Sequence, residues 1–421
     1  MGSSKSSEQI GPVKVWTLAA GGMVGGGIYI ALGVVVSLSG KWASLSFLIA
    51  GIAAAITAYS YAKLSNKYQS SGGAFKFLEE MQHESLAGSL SWLLIIGYTL
   101  TIALYIFAFG HYVAFAFDGG DMLTRILAIG VGIGLTGLNL LGLGKMTAVE
   151  VVIVSANLTI LLILGVFGLT RWDSLELSTG LEPKTPAYAL IGAAVIFVSY
   201  EGFQLLTYEY EKIKNASKSF VPILVSAAIF VVTTYIVVAL GATMLAGALK
   251  AVEQKQVALT IAAQNAWGIT GLVILTIAAG FATAAAINST LFSTGELTFK
   301  IARDKELPGW FEHRNAKDVP SRGIVLIGLL ATLLAVTGGL SSIVEAASLI
   351  FLITFGVVNW LALKNTHTIK WLQWVALVII GIIGIVLVVR LALVNPIPLL
   401  VLLIMSILVL LARPFLLDRY R

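Results

Sequence analysis

The chain has no cysteine and only four histidines in 421 residues. Disulfides, thiol catalysis and thiolate-bound metals are therefore excluded. Charge is scarce too: Asp, Glu, Lys and Arg together make 11% of the residues, against about 25% in a soluble domain. No glycine-rich phosphate loop of the ATP-binding kind occurs. No facing histidines or paired carboxylates mark a catalytic centre, so no enzyme activity, cofactor or metal is expected. What the sequence has in place of these is hydrophobicity, 58% of all residues. It recurs in stretches of about 20 residues, the length that crosses roughly 30 Å of hydrocarbon. The formal charge of +6 lies in short loops between these stretches, which argues against nucleic acid as a partner and leaves membrane lipid as the solvent.

The apolar stretches lie at about 14–38, 42–66, 88–117, 122–143, 147–170, 187–207, 219–247, 269–302, 321–339, 342–363, 372–391 and 396–412, and are called spans one to twelve below. About twelve transmembrane helices make this an all-α polytopic membrane protein. An even number puts both termini on one side. Most of the 27 Lys and Arg residues fall on alternate segments beginning with the N-terminal one. The positive-inside rule then makes both termini cytoplasmic in a multi-pass cell-membrane protein. The first span continues as a full helix, so no cleaved secretory signal is expected. Met1 to Ser6 matches the N-myristoylation pattern, although a plain polar tail reads the same way. The segment 248–268 is amphipathic and is expected as a short surface helix.

Five glycines in seven residues interrupt span one, in Gly21-Gly22-Met23-Val24-Gly25-Gly26-Gly27. Each costs about 1 kcal/mol of helix propensity relative to alanine, so a break is expected there. Unwound backbone at membrane depth survives only beside protein or a water-filled cavity. A break frees N–H groups at the start of the second half-helix and carbonyls at the end of the first. The N–H end attracts a carboxylate, and the carbonyl end an ammonium or a cation. Close helix packing is the alternative use of such glycines. Span six carries a matching feature, Phe197-Val198-Ser199-Tyr200-Glu201-Gly202-Phe203-Gln204, with an acid beside a glycine in an apolar segment. An ionisable residue at that depth is a functional candidate by default.

These residues resemble the amino acid–polyamine–organocation (APC) family. The glycine run through Tyr29 is similar to the signature of its first helix. Ser71-Gly72-Gly73-Ala74-Phe75, Phe197 to Phe203, Glu209 to Lys218, Asn288-Ser289, Ala302-Arg303-Asp304 through Leu307-Pro308, and Ser348 to Phe351 resemble further family segments. The resemblance covers essentially the whole chain. It implies the LeuT-type fold, a 5+5 inverted repeat plus two C-terminal helices, and secondary active transport of amino acids or related organic amines by alternating access, as symport or antiport. On that scheme 1–13 is a cytoplasmic tail, 14–170 and 187–363 are the two five-helix repeats, 372–412 holds two additional helices and 413–421 is the C-terminal tail. The substrate lies between spans one, three, six and eight. The N–H groups of Gly25, Gly26 and Gly27 bind its carboxylate. Carbonyls from Gly21 through Met23 and Val24, with those from Phe197 through Ser199 to Tyr200, face its ammonium beside Gly202. Tyr200 and Phe203 gate it.

The sequence also departs from the family pattern. Asn157 stands where many proton-coupled members carry a lysine, Gln204 where an acid is frequent, and Glu296 where an arginine is frequent. Coupling is therefore read from local residues. Glu201 is the candidate proton site, with a cationic substrate partner or a structural role as its alternatives. Asn157, Asn288, Ser289 and Thr290 are candidates for a sodium ion or for ordinary interhelical hydrogen bonds. Tyr98 and Tyr105, seven apart on one face of span three, line the site or pack the bundle. His111 is expected at the interface and Glu345 near water. The rival readings are an inorganic, potassium-like cation transporter on the same fold and an uncoupled or sodium-coupled exchanger.

Overall fold

The computed structural model describes residues 9–81, 84–142, 148–367 and 369–403. The N-terminal pattern at 1–6, the C-terminal tail and the second half of span twelve lie outside these. Regular structure among the described residues is helical, apart from one bridge between Ile10 and Ile213.

Helix positions follow the apolar stretches closely. Span one is Pro12–Val24 plus Gly27–Ser39, and span two is Ala43–Tyr68. Spans three, four and five are Glu84–Ala116, Asp121–Leu140 and Ala148–Thr170. Span six is Tyr188–Val195 followed by two 3₁₀ turns, Phe197–Tyr200 and Phe203–Lys212. Span seven is Ala216–Ala246, and span eight is the inner part of Ala258–Arg303. Spans nine, ten and eleven are Ser321–Thr337, Leu340–Asn365 and Lys370–Val394. Residues 396–403 are helical and open span twelve.

Local chemistry sets the ends. Pro12 occupies the first turn of span one, where its missing N–H costs nothing. Gly268, at φ 63°, divides Ala258–Arg303 and starts span eight where the sequence predicts. The segment before it does not lie free on the surface. Helix Ala248–Glu253 and the part of Ala258–Arg303 that precedes its kink at Trp267 and Gly268 bury Ala248, Ala251, Leu259, Ala262 and Ala263 against the bundle. They form a lid over the second half of span one, where Gly33 lets the backbone of Lys255 approach its α-carbon. Its apolar face is wide enough to reward burial, which periodicity alone does not distinguish from an interfacial helix.

The helix pairing repeats under a shift of five spans. Span two packs on seven and span three on eight. Five packs on seven as ten packs on two, and eight on five as three on ten. Four packs on eight as nine on three, and four pairs with nine. An odd shift inverts the second copy relative to the first, giving the 5+5 inverted repeat. Spans one, three and ten are largely enclosed. Spans four and eleven expose Ile126, Ile129, Ile133, Ile382 and Ile385, a surface suited to hydrocarbon rather than water.

Candidate functional site

Both interruptions are present and they meet. In span one the α-helix stops at Val24, turns through Gly25 and Gly26, and restarts at Gly27. The break is thus two residues long, shorter than the glycine run. Gly21 and Gly22 remain helical because their bare α-carbons accept close neighbours, Val154 and the Gly202 backbone. Span six bends by 58°. Glu201 is extended and Gly202 sits at φ 121°, a left-handed conformation that favours glycine. A Cβ on Gly22 would stand 2.9 Å from the carbonyl oxygen of Gly202, and one on Gly202 would overlap the carbonyl of Gly22. The two spans therefore cross backbone to backbone.

Side chains from three other spans bond the backbone of the two broken spans. The Tyr235 hydroxyl donates to the carbonyls of Met23 (2.8 Å) and Ser199 (3.0 Å), joining the breaks. Ser348 donates to the Val195 carbonyl (2.6 Å) and accepts from the Val198 amide (3.0 Å). The Tyr112 hydroxyl donates to the carbonyl of Tyr29 (2.6 Å), and the Tyr29 hydroxyl bonds Asn157. Tyr200 reaches Phe47 in span two (2.7 Å). Neither Tyr235 nor Ser348 stands out in the sequence as a site residue, since the carbonyls they serve exist only once the helices are broken.

Glu201 is 1% exposed. Tyr105 donates to one carboxyl oxygen (3.3 Å) and Gln204 to the other (3.2 Å). The Gln204 carbonyl accepts the Gly202 amide (2.9 Å), and its amide also reaches Tyr98 (3.3 Å), whose hydroxyl meets that of Tyr208 (2.9 Å). Tyr98 thus belongs to the network holding the acid rather than to plain packing. Among the described residues no ion pair involves Glu201.

A cavity of about 30 Å³ lies beside the crossing, lined by Gly21, Gly22, Gly25, Glu150, Asn157, Gly202 and Ser289 among others. It has room for a water or two, not for an amino acid. Asn157 and Ser289 line it. Asn288 does not: Asn139 of span four donates to it (2.9 Å). Thr290 is buried with its carbonyl taken by Thr294. Glu150, in the first turn of span five, is a cavity-lining acid that sequence reading passes over, because acids at span ends usually face water. The rings of Phe197 and Phe203 pack on Phe355 (5.5 and 5.4 Å) rather than into the cavity.

A vestibule of about 930 Å³ opens at the end of the bundle where span one begins. It is lined by Lys14, Tyr208, Glu211, Ser293, Glu296 and Lys300, and shares Ser289 with the small cavity. Arg314, from the loop after span eight, grips Glu296 with two hydrogen bonds (3.1 and 2.7 Å) and stacks 4.0 Å from Phe299. The pairing explains the acid at 296: its cation comes from the next loop. At the opposite end the way is closed by the lid and by Lys184, which donates to the Ser37 and Leu38 carbonyls. Glu345, expected near water, is buried and paired with Arg390 of span eleven (2.9 Å). That partner lies too far along the chain for spacing to reveal it. His111 bonds the carbonyl of Phe107 one turn back (2.9 Å).

Two crossed, interrupted helices within an inverted repeat define a membrane transporter of the LeuT-type fold. A solved structure of MhsT in complex with L-phenylalanine has the same fold, with a TM-score of 0.59 at 16% identity, covering 89% of this chain and 97% of that one. The model of the amino acid permease family matches residues 10–409, and the chain belongs to that family. It is 28% identical to an uncharacterized protein of Methanocaldococcus jannaschii (80% of this chain, 78% of that one) and 28% identical to the inner membrane transport protein YbaT of Escherichia coli (85% and 84%). It is 27% identical to the Arabidopsis thaliana cationic amino acid transporter 3, mitochondrial (81% and 59%).

Proposed function

We propose that the protein carries an amino acid or a related organic amine across the cell membrane by alternating access, with the substrate held at the crossing of spans one and six. The observation that carries this reading is the glycine-on-glycine crossing, Gly22 on Gly202, which brings the ends of four half-helices together at one point. The N–H groups at Gly26 and Gly27 take the carboxylate; that of Gly25, expected to join them, is spent on the Gly21 carbonyl (2.9 Å) as the last bond of the first half-helix. Carbonyls at Gly21 to Val24 and at Phe197 to Tyr200 take the ammonium. Family membership and the cationic amino acid transporters among the relatives support this substrate class.

The vestibule faces the cytoplasm on the Lys/Arg distribution, with both termini on that side. Glu201 carries the coupling proton. An ionised carboxylate enclosed by hydrocarbon is costly, and two neutral donors offset only part of that cost, so the group exchanges a proton as the site opens to water. Sodium beside Asn157 and Ser289 is the less favoured coupling.

Uptake of labelled amino acids into liposomes holding the purified protein tests the site. Gly26→Val is expected to abolish uptake while leaving folded protein in the membrane, because a side chain there collides with the ring of Tyr105. Unchanged uptake removes the carboxylate cradle. Glu201→Gln is expected to flatten the pH profile of uptake, and an intact profile rejects its role.

A further inference from the structure

The proposed cradle is occupied by the protein itself. The ring of Tyr105 lies against the α-carbon of Gly26, in the space a side chain there would fill. On the other face of the break the Ser199 backbone stands within van der Waals reach of Gly27, a Cβ there falling 2.8 Å from the Ser199 carbonyl oxygen. The same Tyr105 side chain donates its hydroxyl to Glu201. It is 2% exposed, so it has no solvent-facing alternative while the site is closed. One residue of span three therefore touches both the carboxylate cradle of span one and the acid of span six.

We infer that Tyr105 is a plug that the substrate carboxylate must lift from Gly26, and that lifting it withdraws from Glu201 one of the two donors that stabilise its charge. This rests on the substrate site and the proton role proposed above. Substrate entry and proton entry are then a single event. The carboxylate of Glu201 takes a proton from the water that enters with the substrate. It returns that proton to the water of the vestibule as the substrate leaves, before the ring settles back on Gly26 and shuts water out. Among the described residues, the titratable groups that interact with Glu201 are Tyr61 of span two, Tyr98 and Tyr105 of span three, Tyr208 of span six and Tyr235 of span seven. All are tyrosines, and none supplies a positive charge to take over the part of the missing donor. Tyr105 acts as a positioning residue for the acid, distinct from one that packs the bundle.

The test uses the full chain in lipid nanodiscs, with L-alanine, L-arginine and L-phenylalanine as probes. Binding is read from ligand-induced thermal shifts at pH 5.5 and pH 8. The wild type is expected to show at least one probe whose affinity differs by about tenfold between the two pH values, the size of one charge-assisted hydrogen bond. Tyr105→Phe keeps the ring and removes the hydroxyl. It is expected to unfold within a few degrees of the wild type, to bind at either pH, and to lose the tenfold difference. Glu201→Gln is expected to lose it as well. Tyr105→Phe with the wild-type ratio, beside Glu201→Gln without it, overturns the plug while leaving the proton role of Glu201 intact. Glu201→Gln with the wild-type ratio overturns both. Binding of none of the probes to the wild type removes the substrate site and the inference with it.

Discussion

The five glycines between positions 21 and 27 do different things, and only their neighbours tell them apart. Gly25 and Gly26 form the turn, whereas Gly21 and Gly22 remain helical and serve close approach. The sequence predicts an interruption because their summed propensity is poor. It does not give the length of the break, since a helical glycine is affordable wherever a neighbouring backbone fills the space of its side chain. Gly202 is the sharper case. Alanine there would face a φ of 121° and the backbone of Gly22 at once. Strain and overpacking together put the loss at about 2–5 kcal/mol. Gly202→Ala is therefore expected to lower the unfolding temperature in detergent by many degrees or to leave no folded protein; a shift within error removes the crossing as a structural requirement. Glu201 and Asn157 are legible as candidates because polar groups are rare in apolar spans. The partner of Asn288 is not, since polar residues lie on several faces of span eight and the face turned to Asn139 has no local mark.

Element boundaries follow from apolar length and from turn glycines such as Gly40 and Gly268. How elements are tied to one another does not. The loop after span eight is the most charged in the chain, yet its role depends on Arg314 folding back on Glu296. Both side chains are about one-quarter exposed or less, so their coupling exceeds that of a free surface pair, at about 1 kcal/mol or more. Arg314→Glu is expected to slow uptake and lower stability. The double variant with Glu296→Arg is expected to recover part of both, measured as a double-mutant cycle. Strictly additive losses reject the pairing. The buried pair of Glu345 and Arg390 shows the same limit, as spans ten and eleven meet through residues that look unrelated in the sequence.

For the molecule as a whole, the absence of cysteine makes access measurable, because a single introduced thiol has no background. Ser293→Cys lines the vestibule and Ser39→Cys lies buried beneath the closed end. With a membrane-impermeant maleimide, Ser293→Cys is expected to react from the cytoplasmic side in the resting protein and Ser39→Cys from neither side. Labelling of Ser293→Cys only from outside reverses the assigned orientation.

The fivefold shift in helix pairing has a consequence for how the protein rests. If the halves were identical copies turned upside down, facing in and facing out would be the same arrangement seen from opposite ends, equal in free energy. Any leaning comes only from parts lacking a counterpart in the other half. The hook of Arg314 on Glu296 is such a part: it comes from the long loop after span eight, whereas the corresponding connection after span three is only 117–120. It acts as a counterweight on an otherwise balanced beam, and altering it should tilt the idle protein without touching the place where its cargo sits.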